Sequence, residues 1–329
     1  MMTQAETSAL VHHGGRIDAA ARRYPAAPRP WLDLSTGINP CPWSPAEGEA
    51  IDHGALPPVD GLRALEASAA RHFAVEAERV VAMPGSELAL RLLAHAILPR
   101  PITALWPSYG THRDIADRHI AIDTPLGSAQ AAGTLLLAQP NNPDGRLHDP
   151  VALSSLAHGD RWLLVDEAFA DATPDCSVLP HLAPDAPVVV TRSFGKFFGL
   201  AGVRLGFVIA PLPVVGRLRA LLGDWPVTTQ AIAWGSAAYA DRDWIEATRR
   251  DLRDRAARLD AMLARHGLAP RGCCPLFRLV EDHDAQGWFE RLAGAGILTR
   301  PFAERPDRLR FGVPGDAAAF ERLERALRG

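Results

Sequence analysis

Lys196 is the one side chain in this sequence that can act as a nucleophilic amine. The chain contains 34 arginines but no other lysine. A guanidinium keeps its proton in proteins, whereas an amine can lose one and then form an imine with an aldehyde. Ser193 precedes Lys196 in Ser-Phe-Gly-Lys, and Arg204 follows it by eight residues. This segment therefore offers an amine, a hydroxyl and a guanidinium, a set suited to imine chemistry beside a bound anion.

Other polar and glycine-rich residues also follow short apolar runs. Asp166 ends the run 162–165, where a carboxylate would be costly unless it were paired. The others are Gly85, Ser86, Glu87, Tyr109 and Asn142. Because ligands of open α/β sheets bind outside the carboxyl ends of the strands, we expect these residues to share one site with Lys196. Taken singly, each also fits a structural role: a helix cap, a turn or a core aromatic residue.

The pattern along the chain predicts an α/β fold. Apolar runs rich in Val, Ile and Leu alternate with helical patterns, which is typical of a mostly parallel sheet flanked by helices. The predicted strands of this sheet are 79–83, 102–106, 134–138, 162–165, 188–191 and 205–210. A long amphipathic helix is predicted at 243–266, and the strands 276–280 and 309–313 lie among further helices. This later part predicts a smaller α+β domain.

Composition and charge exclude several classes of protein. The net charge is −3 and no basic run is present, which argues against a nucleic-acid partner. No apolar run reaches the roughly 18 residues of a membrane span, and the first residues lack the pattern of a signal peptide. We therefore predict a cytoplasmic protein without a membrane partner. The four cysteines fit no zinc spacing, so we predict that they are reduced and that there is no metal site.

The segment from Ser193 to Arg204 resembles the lysine motif of fold-type I pyridoxal-phosphate enzymes. The resemblance implies that Lys196 carries pyridoxal 5'-phosphate as a Schiff base, and that Ser193 and Arg204 hold its phosphate. It also implies that Asp166 pairs with the pyridinium nitrogen, so that the ring can accept electrons from the substrate's α carbon. Lys196 and Asp166 are thus the predicted catalytic residues.

Further matches follow in the same order as in that family, from about Ser35 to Arg310. Asn142 resembles the asparagine that bonds the cofactor's phenolic oxygen, and Tyr109 the aromatic residue stacked on the ring. Residues 85–87 open a helix pattern whose backbone N–H groups would seat the phosphate. The implied fold has a large cofactor-binding domain at 46–235. The N-terminal segment 1–45 and the C-terminal part 236–329 would form the small domain.

Within that fold the chain most resembles the threonine-phosphate decarboxylases of cobalamin biosynthesis. His13 begins a His-Gly-Gly segment of that kind, and Gly37 and Asn39 lie in a matching Ser-Thr-Gly-Ile-Asn-Pro segment. Phe169 stands where related aminotransferases usually carry a tyrosine whose hydroxyl bonds the cofactor. The resemblance implies decarboxylation of L-threonine O-3-phosphate to (R)-1-amino-2-propanol O-2-phosphate. The alternatives are an aminotransferase of the histidinol-phosphate type and a catalytically silent relative that only binds a ligand.

The resemblance also implies how the phosphorylated amino-acid substrate is bound. Arg310 resembles the arginine that binds the substrate carboxylate, Arg300 the one that meets its phosphate, and His13 would add to the phosphate pocket. Any one of so many arginines could instead be a solvated surface group. The family predicts a homodimer. Leu56, however, replaces the tyrosine by which many relatives reach the partner's cofactor phosphate, and leucine cannot donate that hydrogen bond.

Overall fold

The structure, a computed structural model, describes residue 10 and residues 14–45, 51–128 and 132–328. In these ranges the α-helices are α1 (Ile17–Arg23), α2 (Val59–Phe73), α3 (Ser86–Leu92), α4 (Gly110–Ile115), α5 (Pro150–Ser154), α6 (Phe194–Phe197), α7 (Leu212–Leu222), α8 (Thr229–Ala240), α9 (Arg242–Arg265), α10 (Ala285–Gly294) and α11 (Ala317–Arg328). The strands are β1 (Leu32–Asp33), β2 (Val80–Met83), β3 (Ile102–Trp106), β4 (Arg118–Ala121), β5 (Gly133–Ala138), β6 (Arg161–Asp166), β7 (Val188–Ser193), β8 (Gly206–Ile209), β9 (Pro270–Arg271), β10 (Phe277–Glu281), β11 (Ile297–Leu298), β12 (Arg300–Pro301) and β13 (Arg308–Gly312).

These elements form two compact units. The terminal unit comprises residues 1–41, 143–145 and 249–329, and the central unit comprises 42–142 and 146–248. The domain limits expected after residues 45 and 235 stay a prediction.

The central unit is built on a seven-stranded sheet with the strand order β2-β8-β7-β6-β5-β3-β4. All neighbouring pairs are parallel except those of β8, which runs antiparallel to β2 and β7. Strands β5 and β7 are buried along their whole length, because their continuous Thr, Leu and Val runs are covered on both faces. All six strands predicted for this sheet are present, which confirms the mostly parallel α/β architecture.

Two apolar layers hold this sheet. In one, Leu90 and Leu93 from α3 and the turn that follows it pack with Leu136, Leu164 and Val189 of the strands. The other is aromatic and brings α2, α6, β8 and α8 together. Its members are Phe73, Phe194, Phe198, Phe207 and Tyr239, whose ring centroids lie 4.8 to 5.8 Å apart where they pair. Such close tilted and stacked contacts fix the position of the short helix α6.

The terminal unit contains a four-stranded antiparallel sheet with the order β12-β13-β10-β9 and a parallel pair, β1 with β11. Helices α10 and α11 accompany these strands, which confirms the smaller α+β part. Arg278 on β10 is buried and forms a two-point ion pair with Asp260 on α9, at 2.6 and 3.0 Å. A forked guanidinium on one carboxylate fixes the helix against the sheet.

Within the described ranges, no helix carries an apolar stretch long enough to cross a membrane. The same residues contain no cluster of three or more His, Cys, Asp or Glu side chains that would hold a metal ion.

Candidate active site

A cavity opens in the central unit at the carboxyl ends of β5, β6 and β7. The residues that line it are Gly85, Ser86, Glu87, Tyr109, Ala138, Asn142, Asp166, Ala168, Phe169, Ser193, Gly195, Lys196, Ala201, Arg204 and Leu205. All nine residues that the sequence assigned to cofactor binding are among them. The structure therefore brings these nine together, as strand ends of an open α/β sheet should. Their individual roles stay predictions.

Helix α6 presents Lys196 to this cavity because its other side is held in the core. Phe194, Phe197 and Phe198 are fully buried, whereas Lys196 is only partly buried. The lysine Nζ lies 5.9 Å from the centre of the Phe169 ring. Gly195 permits a close approach of the following segment, since a Cβ at this position would lie 2.7 Å from Cα of Ala201. The amine is thus fixed at the cavity wall by its aromatic neighbours.

Asp166 is the buried acid of the site, with 5% of its surface exposed. Its Oδ1 accepts hydrogen bonds from Thr191 Oγ1 at 3.1 Å and from the backbone N–H of Ala168 at 3.2 Å. Its Oδ2 lies 3.1 Å from Nε2 of His112. These three partners offset much of the desolvation of the carboxylate and hold it in one orientation.

His112 belongs to a buried chain of polar groups behind Asp166. The imidazole is fully buried, and its Nδ1 lies 3.0 Å from Ser108 Oγ, which donates to Asn141 Oδ1 at 3.0 Å. Sequence reasoning missed His112 and Thr191 and gave Ser108 no role of its own. A signal was present, because Ser108 and His112 flank Tyr109 directly after the predicted strand 102–106 and lie four residues apart.

Gly85 and Arg204 form an anion cradle in the wall of the cavity. Arg204 has its backbone at φ 57° and ψ 48°, a left-handed conformation that strains a non-glycine residue. Its guanidinium lies against Gly85, where an added Cβ would come within 2.9 Å of Arg204 Nη2. Ser193 and Ser86 also line the cavity here. A cation, two hydroxyl groups and the start of α3 suit a phosphate monoester.

The donor set as a whole fits pyridoxal phosphate. Lys196 supplies an amine for the aldehyde, and Asp166 a carboxylate for the ring nitrogen. The cradle at Gly85 and Arg204 fits its phosphate, since the guanidinium occupies the space that a Cβ would fill at residue 85.

Tyr109 stands just before α4 and meets His112 edge to face, with ring centroids 5.8 Å apart. Burial, together with the charge of Glu87, raises the pKa of the Tyr109 phenol to about 12, so this group stays protonated at neutral pH. Glu87 in turn accepts from Thr111 Oγ1 at 2.7 and 2.9 Å and from Arg91 Nε at 2.8 Å. These bonds tie α3 to α4 at the edge of the cavity.

The two predicted substrate arginines are neighbours in the terminal unit. Arg300 on β12 pairs with Arg310 on β13. Arg310 is buried over the Phe277 ring at 4.9 Å and donates to the Ser35 carbonyl at 2.9 Å, and burial lowers the pKa of its guanidinium to about 10. Arg300 donates to the Leu10 carbonyl at 3.2 Å. Two cations on adjacent strands form a place where anions are favoured.

The remaining predicted substrate residues are less informative. Gly37 and Asn39 are buried in the segment after β1, and Asn39 Oδ1 accepts from the Cys41 N–H at 2.9 Å, which makes a local turn. Ser35, two residues before Gly37, contacts Arg310 through its backbone carbonyl. His13 lies outside the described residues.

Comparison with known proteins places this arrangement in a family. The model of the class I and II aminotransferases matches residues 104–327. The chain belongs to this family. Among family relatives, the threonine-phosphate decarboxylase of Pseudomonas aeruginosa is 39% identical over 97% of this chain and 98% of the relative. Histidinol-phosphate aminotransferase 3 of Mesorhizobium japonicum is 26% identical over 92% of this chain and 88% of the relative.

Solved structures agree on the fold of this family member. Histidinol-phosphate aminotransferase from Sinorhizobium meliloti, in complex with pyridoxal-5'-phosphate, superposes with a TM-score of 0.80. The match covers 99% of this chain and 97% of that one at 19% identity, so it concerns the fold alone. The predicted fold class is confirmed.

Proposed function

We propose that this chain is a pyridoxal-phosphate-dependent decarboxylase that converts L-threonine O-3-phosphate to (R)-1-amino-2-propanol O-2-phosphate for cobalamin biosynthesis. The observation that carries the proposal is the 39% identity to threonine-phosphate decarboxylase along nearly the whole of both chains. Identity to histidinol-phosphate aminotransferase 3 is lower, at 26%. The other eight cofactor-binding candidates line the same cavity as the only lysine of the sequence, which supports the cofactor assignment.

When bound, pyridoxal phosphate supplies an electron sink for the charge left on the substrate's α carbon. Lys196 would hold the cofactor through its aldehyde carbon, and Ser193 and Arg204 would hold its phosphate. Asp166 would keep a proton on the ring nitrogen, and its orientation is fixed by Thr191 and the other two partners described above. Asn142 would form a hydrogen bond with the phenolic oxygen.

The choice of reaction depends on orientation at the α carbon. A bond at this carbon breaks readily only when it lies perpendicular to the plane of the cofactor ring, so a decarboxylase must hold the carboxylate there. We assign the substrate carboxylate to Arg310 and the substrate phosphate to Arg300, which are paired residues on the adjacent strands β13 and β12. Once carbon dioxide is lost, either Nζ of Lys196 or water would return a proton to the α carbon.

A gas-release assay tests the proposal. Purified protein given pyridoxal phosphate and L-threonine O-3-phosphate should release carbon dioxide without any keto-acid acceptor. The comparison reaction contains histidinol phosphate and 2-oxoglutarate. Turnover that requires the acceptor and yields no carbon dioxide would identify an aminotransferase and refute the decarboxylase.

We also propose that the enzyme is a cytoplasmic homodimer. Leu56 and Val59, near the start of α2, are 67% and 51% exposed, and a dimer interface at this place would bury both aliphatic side chains. Light scattering coupled to size-exclusion chromatography measures the oligomeric state, and a monomeric mass at micromolar concentration would contradict the dimer. Cell fractionation tests the location.

A further inference from the structure

A buried ionic cluster lies beneath the cofactor-binding residues. We define it as Glu167, Asp171, Ser177 and Arg192. All four residues are at most 5% exposed, and Arg192 has its guanidinium 4.8 Å from the centre of the Phe73 ring. Arg192 lies on β7 between Thr191, which bonds to Asp166, and Ser193, which lines the cavity. Because side chains alternate along a strand, Arg192 points to the face of the sheet opposite to these two residues.

Contacts within the cluster are short and numerous. Arg192 Nη2 lies 2.9 Å from Glu167 Oε2 and donates to Ser177 Oγ at 3.0 Å, while Nη1 donates to Asp171 Oδ1 at 2.9 Å. Ser177 Oγ also donates to Glu167 Oε2 at 2.8 Å. The other oxygen of Glu167 accepts from the backbone N–H of Val178 at 2.7 Å. One guanidinium therefore joins the end of β6, the segment 167–178 and β7.

The desolvation cost of burying these charged groups offsets much of the stability that the cluster provides. Burial raises the pKa of Glu167, and the carboxylates of Glu167 and Asp171 outweigh burial to raise the pKa of Arg192. Buried ion pairs are often no more stabilising than apolar residues of the same shape. What such a pair does provide is a fixed geometry, and the geometry fixed here is that of two strand ends.

Both strand ends carry residues of the cavity. Glu167 directly follows Asp166, and its backbone N–H donates to the Thr191 carbonyl at 2.9 Å. Arg192 directly precedes Ser193, and the segment that the cluster holds includes Phe169. A shift of β6 against β7 would therefore move the acid for the ring nitrogen relative to the hydroxyl for the phosphate, two groups that must meet opposite ends of one rigid molecule.

We propose that Arg192 is a positioning residue for the cofactor: through Glu167 and Asp171 it sets the spacing between Asp166 and Ser193, and thereby the affinity for pyridoxal phosphate. The inference rests on the proposed function only in taking pyridoxal phosphate as the cofactor. It does not depend on which reaction follows.

The test compares two arginine-to-methionine variants of the full-length protein. Arg192→Met removes the guanidinium but keeps an unbranched apolar chain, and Arg278→Met removes a comparably buried ion-paired arginine in the terminal unit. Each protein is freed of cofactor and titrated with pyridoxal phosphate, followed by visible absorbance and circular dichroism, and its Tm is recorded. Both variants should lower the Tm. Arg192→Met alone should raise the dissociation constant for pyridoxal phosphate, by about tenfold or more, and weaken the cofactor's dichroic band.

Equal dissociation constants for the two variants, within about twofold of the wild type, would overturn the proposal and leave Arg192 a purely structural residue. Should Arg192→Met not fold, Glu167→Gln serves instead, because it keeps the shape of the side chain while removing the charge that Arg192 meets. Here too, unchanged affinity for pyridoxal phosphate overturns the proposal. A wild type that binds the cofactor yet releases no carbon dioxide would refute the proposed decarboxylation and leave this test intact.

Discussion

Replacement of Gly85 by alanine should weaken cofactor binding by a predictable amount. Gly85 has φ 91° and ψ 153°, a region that only glycine occupies readily, so a side chain there strains the backbone by about 1–3 kcal/mol. The new Cβ would also lie 2.9 Å from Arg204 Nη2 and displace the guanidinium. A lost hydrogen bond to a charged group costs about 1.5–3 kcal/mol, which corresponds to roughly 10- to 100-fold weaker binding of pyridoxal phosphate.

A matched control is Gly216→Ala. Gly216 lies within α7, is exposed, and an added Cβ would meet nothing within 4 Å. Alanine there should stabilise the helix by about 0.5–1 kcal/mol and leave cofactor affinity unchanged. Titration of cofactor-free protein gives the dissociation constant, and urea unfolding gives the stability. If Gly85→Ala binds pyridoxal phosphate as tightly as Gly216→Ala does, the phosphate cradle is not at Gly85 and Arg204.

Three further predictions concern covalent chemistry, reaction choice and pH. Borohydride reduction with pyridoxal phosphate should label one side-chain amine per chain, and Lys196→Ala should abolish that label, as mass spectrometry of peptides will show. Phe169→Tyr adds a hydroxyl near Lys196 and should increase the ratio of transamination to decarboxylation; an unchanged ratio contradicts this. Burial raises the pKa of all three tyrosines, that of Tyr109 to about 12, so tyrosinate absorbance should be absent near pH 10 until the protein is unfolded. The pKa of Tyr109 is higher in the folded than in the unfolded protein. The contribution of its protonated phenol to the free energy of unfolding is therefore complete below about pH 10 and declines as the pH rises toward 12.

The sequence predicted the central sheet well because its strands are long apolar runs. Ile102–Trp106 matches its predicted limits at both ends. β4 was missed, since Arg118–Ala121 is a short, mostly exposed edge strand without an apolar run. The strands β1, β9, β11 and β12 have two residues each, too few to show any periodicity. α9 was predicted to within one residue at each end because 24 amphipathic residues repeat the helical pattern many times.

The candidate site was predictable where residues follow strands directly. Lys196, Asp166 and Asn142 met that rule, and the structure places all three at one cavity. The supporting groups were not found, because pairs such as Glu167 with Arg192 form only when two strands are brought side by side. Their types carry no local signal, since a single buried glutamate or arginine resembles a surface charge in the sequence.

At Arg204, a side chain needed for cofactor binding comes at the expense of the stability of the fold. Its left-handed backbone would suit glycine better, so Arg204→Gly should relieve strain of about 1 kcal/mol while removing the cation from the phosphate cradle. A screen for thermal stability alone would thus tend to select a more stable protein that no longer binds pyridoxal phosphate. Variant libraries designed for thermal stabilisation should therefore keep Arg204.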